Sequence, residues 1–349
     1  MAVKATDIIK EIQKLNPAEK QRLRAFLIDA LTASSSTGNA LQEISERKNK
    51  QGYTCPHCQS KHVVRFGKYT TLVDGDEVKK QRYRCKACTA TFTDLTNTAL
   101  YRTRRLNKWI KFIECMIDGY SLRKSAKMVK GVTHITLFYW RHKLLSALKQ
   151  IEVADFQGIV EMDETYFLYS EKGQKKIVGR KPRKRGGTAK KRGISKEQVC
   201  VLVARDRDKN TVSTTLGIGR IKKEQLDKAI GQKLSSQNIL CTDSWRAFRA
   251  YATDKGMTIY QFKSDGKVRT KGLYHIQNVN SYHSRLKGWI QRFNGVATKY
   301  LDNYLTWFQV LESIQHQLNE VTVNDMIIKG NLIPIVETYD KLRMSKFTK

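Results

Sequence analysis

The run GIVEMDETYF over 158–167 sets an acidic pair at the centre of a segment rich in β-branched and aromatic residues. Such composition predicts a strand. A carboxylate inside an apolar strand is costly unless it is paired or binds a metal. Side chains alternate along a strand, so Ile159, Glu161, Asp163, Thr165 and Phe167 share one face and Val160, Met162, Glu164 and Tyr166 the other. Asp163 and Glu164 are thus expected to point in opposite directions, with only one available to a given site. An edge strand with solvated acids is the competing reading.

The rest of the chain bears on that choice. Its 349 residues allow two or three domains, and a formal net charge of +33 predicts a polyanionic partner, nucleic acid by default. A membrane surface is the competitor. However, no segment approaches the roughly 18 consecutive apolar residues of a span, and the N-terminus has no signal-peptide pattern. A cytosolic protein is expected. The seven cysteines agree: the number is odd, and four form two CxxC pairs, which in a reducing compartment points to metal rather than disulfide.

Those pairs are CPHC at 55–58 and CKAC at 85–88. Tetrahedral Zn²⁺ takes four thiolates at about 2.3 Å, so Cys55, Cys58, Cys85 and Cys88 suit one ion, and His57 and His62 are surplus. Strand-like runs between them, His62–Lys68 and Lys79–Tyr83 around Asp74-Gly75-Asp76, make a zinc ribbon. Before it, Thr6–Leu31 has helical spacing broken at Asn16-Pro17, with Asn16 as N-cap, and Thr32–Gly38 reads as a linker.

After it, residues 106–148 read as three helices, with Ser121 and Thr133 as caps and Lys130-Gly131-Val132 as a turn. Ile135, Phe138, Leu145 and Leu148 are the inward positions of the third. This pattern fits helix-turn-helix, with His134, Thr136, Arg141 and Lys143 as candidate DNA contacts, or else a helical bundle joining two domains. The stretch GRKPRKRGGTAKKR over 179–192 holds eight basic residues and no acid, and reads as a loop or mobile arm. Arg180, Lys181, Arg183, Lys184, Arg185, Lys190, Lys191 and Arg192 are its candidate phosphate contacts.

From Gln198 the pattern is α/β. Strands at Gln198–Arg205 and Thr211–Ile218, a helix at Lys222–Leu234, a strand at Asn238–Thr242, a helix at Ser244–Lys255 and a strand at Met257–Phe262 follow in turn. With the opening strand, this is the order of a ribonuclease-H-like domain, in which that first strand is central. Asp243 ends a strand, where side chains face the crevice of an open α/β sheet, although Asp-Ser before a helix is also an ordinary N-cap. In NSYHSRLKGWIQRF over 280–293, Tyr282, Leu286, Trp289, Ile290 and Phe293 form an apolar helix face, and Asn280, His283, Ser284 and Lys287 an opposing polar stripe.

Taken together, VEMDETYF, GRKPRKRGG, SKEQVCVLVARD, CTDSWRAF and HIQNVNSYHSRLKGWIQRFNGVATKYLDNYLTWF resemble insertion-sequence transposases of the DDE superfamily. The group most resembled is the fifteen-ninety-five insertion-sequence family, over roughly residues 50–312, whose members carry an N-terminal zinc ribbon. The resemblance implies a catalytic domain that cuts and joins DNA at element ends with Mg²⁺ or Mn²⁺. Asp163 and Asp243 match the family's two aspartates, Asn280 the position where many relatives have glutamate, and Lys287 the lysine seven residues on. Asp163, Asp243 and Asn280 would then be the magnesium ligands, with Glu161, on the face of Asp163, a compensating acid.

The expected organisation is multidomain α+β. An N-terminal helical segment and linker (1–48) precede a zinc ribbon (49–98) and a helix-turn-helix-like segment (99–150). A ribonuclease-H-like catalytic domain (151–335) and a tail (336–349) follow. The expected partners are double-stranded DNA at element ends and target and further copies of the chain, with no membrane, in a cytoplasmic, nucleoid-associated protein. The rival is a DNA-binding regulator whose nuclease fold is vestigial, motivated by Asn280.

Overall fold

A computed structural model describes residues 12, 14–17, 19–21, 40–73, 76–103, 107–174, 176–178, 180–182, 187–263, 268–314, 319–335 and 337–347. Side chains at 71–73, 76–78 and 319–322 are not among those described. The expected N-terminal helices and linker, the turn at Asp74-Gly75, and Arg183, Lys184 and Arg185 lie largely or wholly outside these residues. Within the N-terminal stretch, Glu19 N–H donates to Asn16 Oδ1 at 2.9 Å and Asn16 N–H donates back to Glu19 Oε2 at 3.1 Å. Asn16 is thus the expected N-cap, and Glu19 makes the cap reciprocal.

The chain divides into two compact units, Met1–Trp140 with Gln317–Val336, and Arg141–His316 with Glu337–Lys349. In the first, residues 40–49 form helix α1. Strands β1 (Val63–Val73) and β2 (Asp76–Cys85) make an antiparallel hairpin, to which β3 (Thr91–Phe92) adds a short third strand. Tyr83 is buried with Cys55, Cys85 and Phe92, whereas its neighbours Arg82 and Arg84 are exposed. So small a core cannot hold the module without a staple.

Helices α2 (Asn107–Ile117), α3 (Leu122–Val129) and α4 (His134–Leu148) follow. The caps are as read from the sequence. Ser121 Oγ accepts from Lys124 N–H at 3.3 Å, and Thr133 Oγ1 accepts from Thr136 N–H at 3.2 Å. Gly131, at φ 65°, turns the chain between α3 and α4. Trp109 stacks on Trp140 at 4.7 Å, and the helix Asn319–Leu332 packs on α2.

Helix α4 departs from its expected pattern. Ile135, read as inward, is 55% exposed. Further along, Leu137, Arg141, His142, Leu144, Leu145, Ala147 and Leu148 are buried around the whole circumference. Arg141, read as a DNA contact, is 1% exposed and sets its guanidinium 4.5 Å from the centre of the Trp307 ring. An indole face replaces water for that cation, which withdraws Arg141 from any DNA-facing surface. Lys143 is half-buried.

The second unit is built on a five-stranded sheet in the order β6-β5-β4-β7-β8. These strands are β4 (Ile159–Leu168), β5 (Gln198–Asp206), β6 (Thr211–Ile218), β7 (Ile239–Asp243) and β8 (Thr258–Phe262). The first three pair antiparallel; β7 and β8 join parallel, so the strand carrying the acidic pair is central and not an edge. Parallel partners need crossovers, supplied here by α5 (Lys223–Ile230) and α6 (Arg246–Asp254).

Alternation along the strands divides the unit into layers. Val160 and Met162 join Cys200, Leu202, Ala204, Leu226, Leu240, Phe248 and Tyr251 in the core beneath α5 and α6. Each fully buried large apolar side chain there is worth about 1.5–3 kcal/mol. The opposite face receives α7 (Gln277–Gln291), packed on β4 and β5, and α8 (Leu301–Ser313), packed on β6. Glu161 and Asp163 belong to that face.

Candidate active site

Strand β4 sets Asp163 beside the end of β7. The last parallel pair is Met162 with Thr242, so Asp243 follows directly at the carboxyl end of its strand. The two aspartates meet there, and Glu164 joins them: one carboxylate oxygen from each of Asp163, Glu164 and Asp243 lies within 4.8 Å of the others. This corrects the expectation that Asp163 and Glu164 serve different faces. Strand β7 ends at Asp243 while β4 runs on to Leu168, so beyond Met162 that edge of β4 has no paired strand among the described residues. A glutamate side chain can wrap around an open edge.

The electrostatics follow from burial and repulsion. Burial, then the Asp243 charge, raises Asp163 to about 7, while Lys287 acts in the opposite sense. Glu164 rises to about 8 through burial and repulsion from Asp243 and Asp163, and its Oε1 accepts from Tyr166 Oη at 3.4 Å. Burial also raises Asp243, against the pull of Trp245 N–H, which donates to its Oδ1 at 3.0 Å. That hydrogen bond orients Asp243 without making it a helix cap, since α6 begins at Arg246 after Trp245.

Helix α7 closes the site. His283 is 7% exposed, with Nδ1 3.6 Å from Asp163 Oδ2. Burial and nearby Lys287 hold this imidazole down at about 4, so it is neutral at physiological pH. Lys287, one turn on, is exposed and close enough to act on both Asp163 and His283. Asn280 is also exposed; it lies one turn before His283 on the same stripe, by helical spacing.

Glu161 has a different task from the compensating acid expected of it. It is 1% exposed and accepts from Asn278 N–H at 2.8 Å, Val279 N–H at 3.1 Å and Asn278 Nδ2 at 2.9 Å. Arg207 NH1 and His275 complete its shell. The first-turn N–H groups of a helix lack intrahelical acceptors and favour negative charge. Glu161 therefore pins the start of α7 to the central strand, and its charge is spent there. The alternation rule put Glu161 on the correct face, but only the position of α7 shows which partner it meets.

The four cysteines converge as expected. Cys55 Sγ lies 3.6 Å from Cys88 Sγ, and Cys58 Sγ 3.6 Å from Cys85 Sγ. All four sulfurs fall within 4.8 Å of one another. A tetrahedron with Zn–S bonds of about 2.3 Å has edges of roughly 3.8 Å, so the set fits zinc. The backbone N–H of Cys88, chiefly, holds the Cys85 thiol down to about 6, favouring the thiolate that a metal requires.

In the basic stretch, Arg180 pairs with Glu171 at 2.8 Å, and the N–H groups of Lys190 and Lys191 donate to Glu197 Oε2 at 2.8 and 3.1 Å. These described parts are tied to neighbouring acids and carry no helix or strand, which fits the loop among the two expected readings. Lys181, Lys190, Lys191 and Arg192 remain exposed.

The central strand with its acids, the parallel strand that ends in Asp243 and the helix over them all fall within residues 155–309, which match the ISXO2-like transposase domain. Over that segment the chain is similar to transposases of this family. It is 24% identical over 290 residues to a Halobacterium salinarum (strain ATCC 700922 / JCM 11081 / NRC-1) protein described as "Uncharacterized protein in transposable element ISH50", covering 82% of this chain and 93% of the relative. Solved structures similar to this chain at 12% identity include two nucleoprotein assemblies. One is the simian T-cell lymphotropic virus intasome in complex with PP2A regulatory subunit B56 gamma, at TM-score 0.27 over 60% of this chain and 69% of that one. The other is the pre-cleavage Mos1 transpososome, at TM-score 0.22 over 64% and 78%. Overlap so low carries no further argument.

Proposed function

We propose that this transposase binds the ends of an insertion sequence and cuts and joins DNA through divalent-metal phosphoryl transfer in a ribonuclease-H-like domain. The observation that carries this reading is the convergence of Asp163, Asp243 and Glu164, three half-buried acids whose charges a divalent cation would neutralise. Hard oxygen donors of this kind suit Mg²⁺ or Mn²⁺. Asp163, Asp243 and Glu164 would hold the metal, with the Asn280 carbonyl oxygen as a neutral addition. Glu164 thereby supplies the third carboxylate that position 280 lacks. A bound divalent ion polarises the phosphoryl oxygen and stabilises the attacking and leaving oxygens of an in-line displacement.

The chain's own groups do the positioning. Lys287, exposed beside Asp163, holds a DNA phosphate at the site. Neutral His283 walls Asp163 off from water, and Trp245 N–H fixes the rotamer of Asp243. Zinc held by Cys55, Cys58, Cys85 and Cys88 would be structural. The ribbon (49–98) and the helix-turn-helix-like segment (99–150) recognise DNA for the catalytic domain (151–335), aided by Lys181, Lys190, Lys191 and Arg192. One active site per DNA end implies an assembly of several copies, acting on the nucleoid in the cytoplasm.

The experiment is strand transfer with an end duplex and a supercoiled target. Asp163→Asn and Asp243→Asn should lose joining while DNA binding survives; full joining by either variant overturns the assignment. Asn280 favours a second reading, a DNA-binding regulator with a vestigial nuclease fold. Intact protein that binds DNA yet leaves plasmid uncut across Mg²⁺ and Mn²⁺ would support it.

A further inference from the structure

The β1–β2 hairpin carries an exposed face whose composition the zinc site does not explain. Register pairs Val64 with Arg84 and Tyr69 with Lys80, then shifts between Arg65 and Lys68, where Phe66 and Gly67 together oppose Arg82. Gly67, at φ 74°, takes the left-handed conformation that this bulge needs. The bulge has a consequence for facing. Phe66 and Tyr69 are three positions apart and would otherwise point to opposite sides. With one extra residue inserted, Val64, Phe66, Tyr69, Lys80, Arg82 and Arg84 all share one face.

That face is built as a set of cation–aromatic pairs. The Arg84 guanidinium sits 5.4 Å from the Phe66 ring centre and that of Arg82 5.8 Å from Tyr69. Phe66 is 44% exposed and Tyr69 37%, although large aromatics are ordinarily buried. Arg82 and Arg84 are exposed too, and these six positions include no acid. The other face is different in kind: there Tyr83 is buried in the small core beside the cysteines.

We infer that this face of the ribbon docks on duplex DNA, resting on the proposed function above. The exposed Arg82 and Arg84, with half-buried Lys80 beside them, complement a phosphate backbone. A two-stranded ribbon fits a major groove about 12 Å wide. Rings beneath the guanidinium groups hold them flat and pre-oriented for phosphate or guanine edges.

The test uses the full chain and a fluorescent end duplex, with anisotropy measured over a range of salt. Lys80→Ala/Arg82→Ala/Arg84→Ala should bind at least tenfold more weakly at fixed salt. Its slope of log affinity against log salt should be shallower by about 0.9 per lost contact. Lys79→Ala, on the opposite face, should change little. Zinc content of each variant checks the fold, and Arg82→Lys/Arg84→Lys, which keeps charge but not stacking, should weaken binding with the slope retained. Wild-type affinity and slope in the triple variant would overturn the proposal and leave the transposase reading standing. If the intact protein binds no duplex at all, both fall. A variant changed only in its state of association by light scattering would make the face a contact between copies, again overturning DNA docking.

Discussion

At the scale of single residues, the carboxylates make the sharpest demands. Asp163 and Glu164 titrate near 7 and 8, far above ordinary carboxylates near 4. A folded pKa raised above the unfolded one means that the native state binds extra protons between roughly pH 4 and 8, so stability falls as pH rises through that window. Metal-free protein is therefore expected to melt at lower temperature at pH 8.5 than at pH 5.5, and saturating Mg²⁺ should raise the high-pH value most. Because other groups also titrate, the quantity to compare is the pH dependence of Tm in wild type against Glu164→Gln. A wild-type slope equal to the variant's would remove Glu164 from the site. Position 280 gives the complementary change. Asn280→Glu adds a charge on the stripe facing the aspartates and should tighten Mg²⁺ about tenfold, or ~1.4 kcal/mol, in calorimetric titration; weaker binding would put residue 280 outside the metal shell.

At the scale of elements, helix α7 is held by one buried acid. Removing Glu161 leaves Asn278 and Val279 N–H without their acceptor and Arg207 without its partner. Breaking such a buried pair costs about 3–5 kcal/mol, so Glu161→Ala should show that loss in denaturant unfolding. Glu161→Gln, which can still accept from those N–H groups, should recover part of it, with kcat reduced more than KM because the acids stay in place while α7 shifts. Equal stability of all three proteins would deny the anchor. The same elements mark what was legible beforehand. The β-branched and aromatic composition of GIVEMDETYF correctly predicted β4, and cysteine spacing correctly predicted the four-sulfur cluster, because both depend on local sequence. Glu164, Glu161 and Arg141 were misread because each depends on a distant partner: the short end of β7, the first turn of α7 and the ring of Trp307. Ile135 failed for a related reason, since a helix buried around most of its girth has no single inward stripe.

At the scale of the whole molecule, a net charge of +33 governs how the protein meets a polyanion. Part of that charge is internal to the fold: Arg141 lies on Trp307 and Arg207 on Glu161. What remains exposed includes Arg82 and Arg84 on the ribbon and Lys181, Lys190, Lys191 and Arg192 in the basic stretch. Neutralising six to ten phosphates through such groups implies an affinity that falls about 10³–10⁵-fold between 50 and 200 mM salt. Zinc removal then separates the contributions. In the proposed function zinc on the four cysteines staples the ribbon's small core, and in comparable modules such binding is worth roughly 10–16 kcal/mol. A chelator should therefore melt the ribbon and make the salt slope shallower by about 2.7, for three phosphate contacts at ~0.9 each. The cations of the basic stretch act regardless of zinc, so binding should weaken without vanishing. An unchanged slope after zinc is stripped, checked by metal analysis of the same sample, would mean that the ribbon braces the chain and leaves DNA contact to other residues.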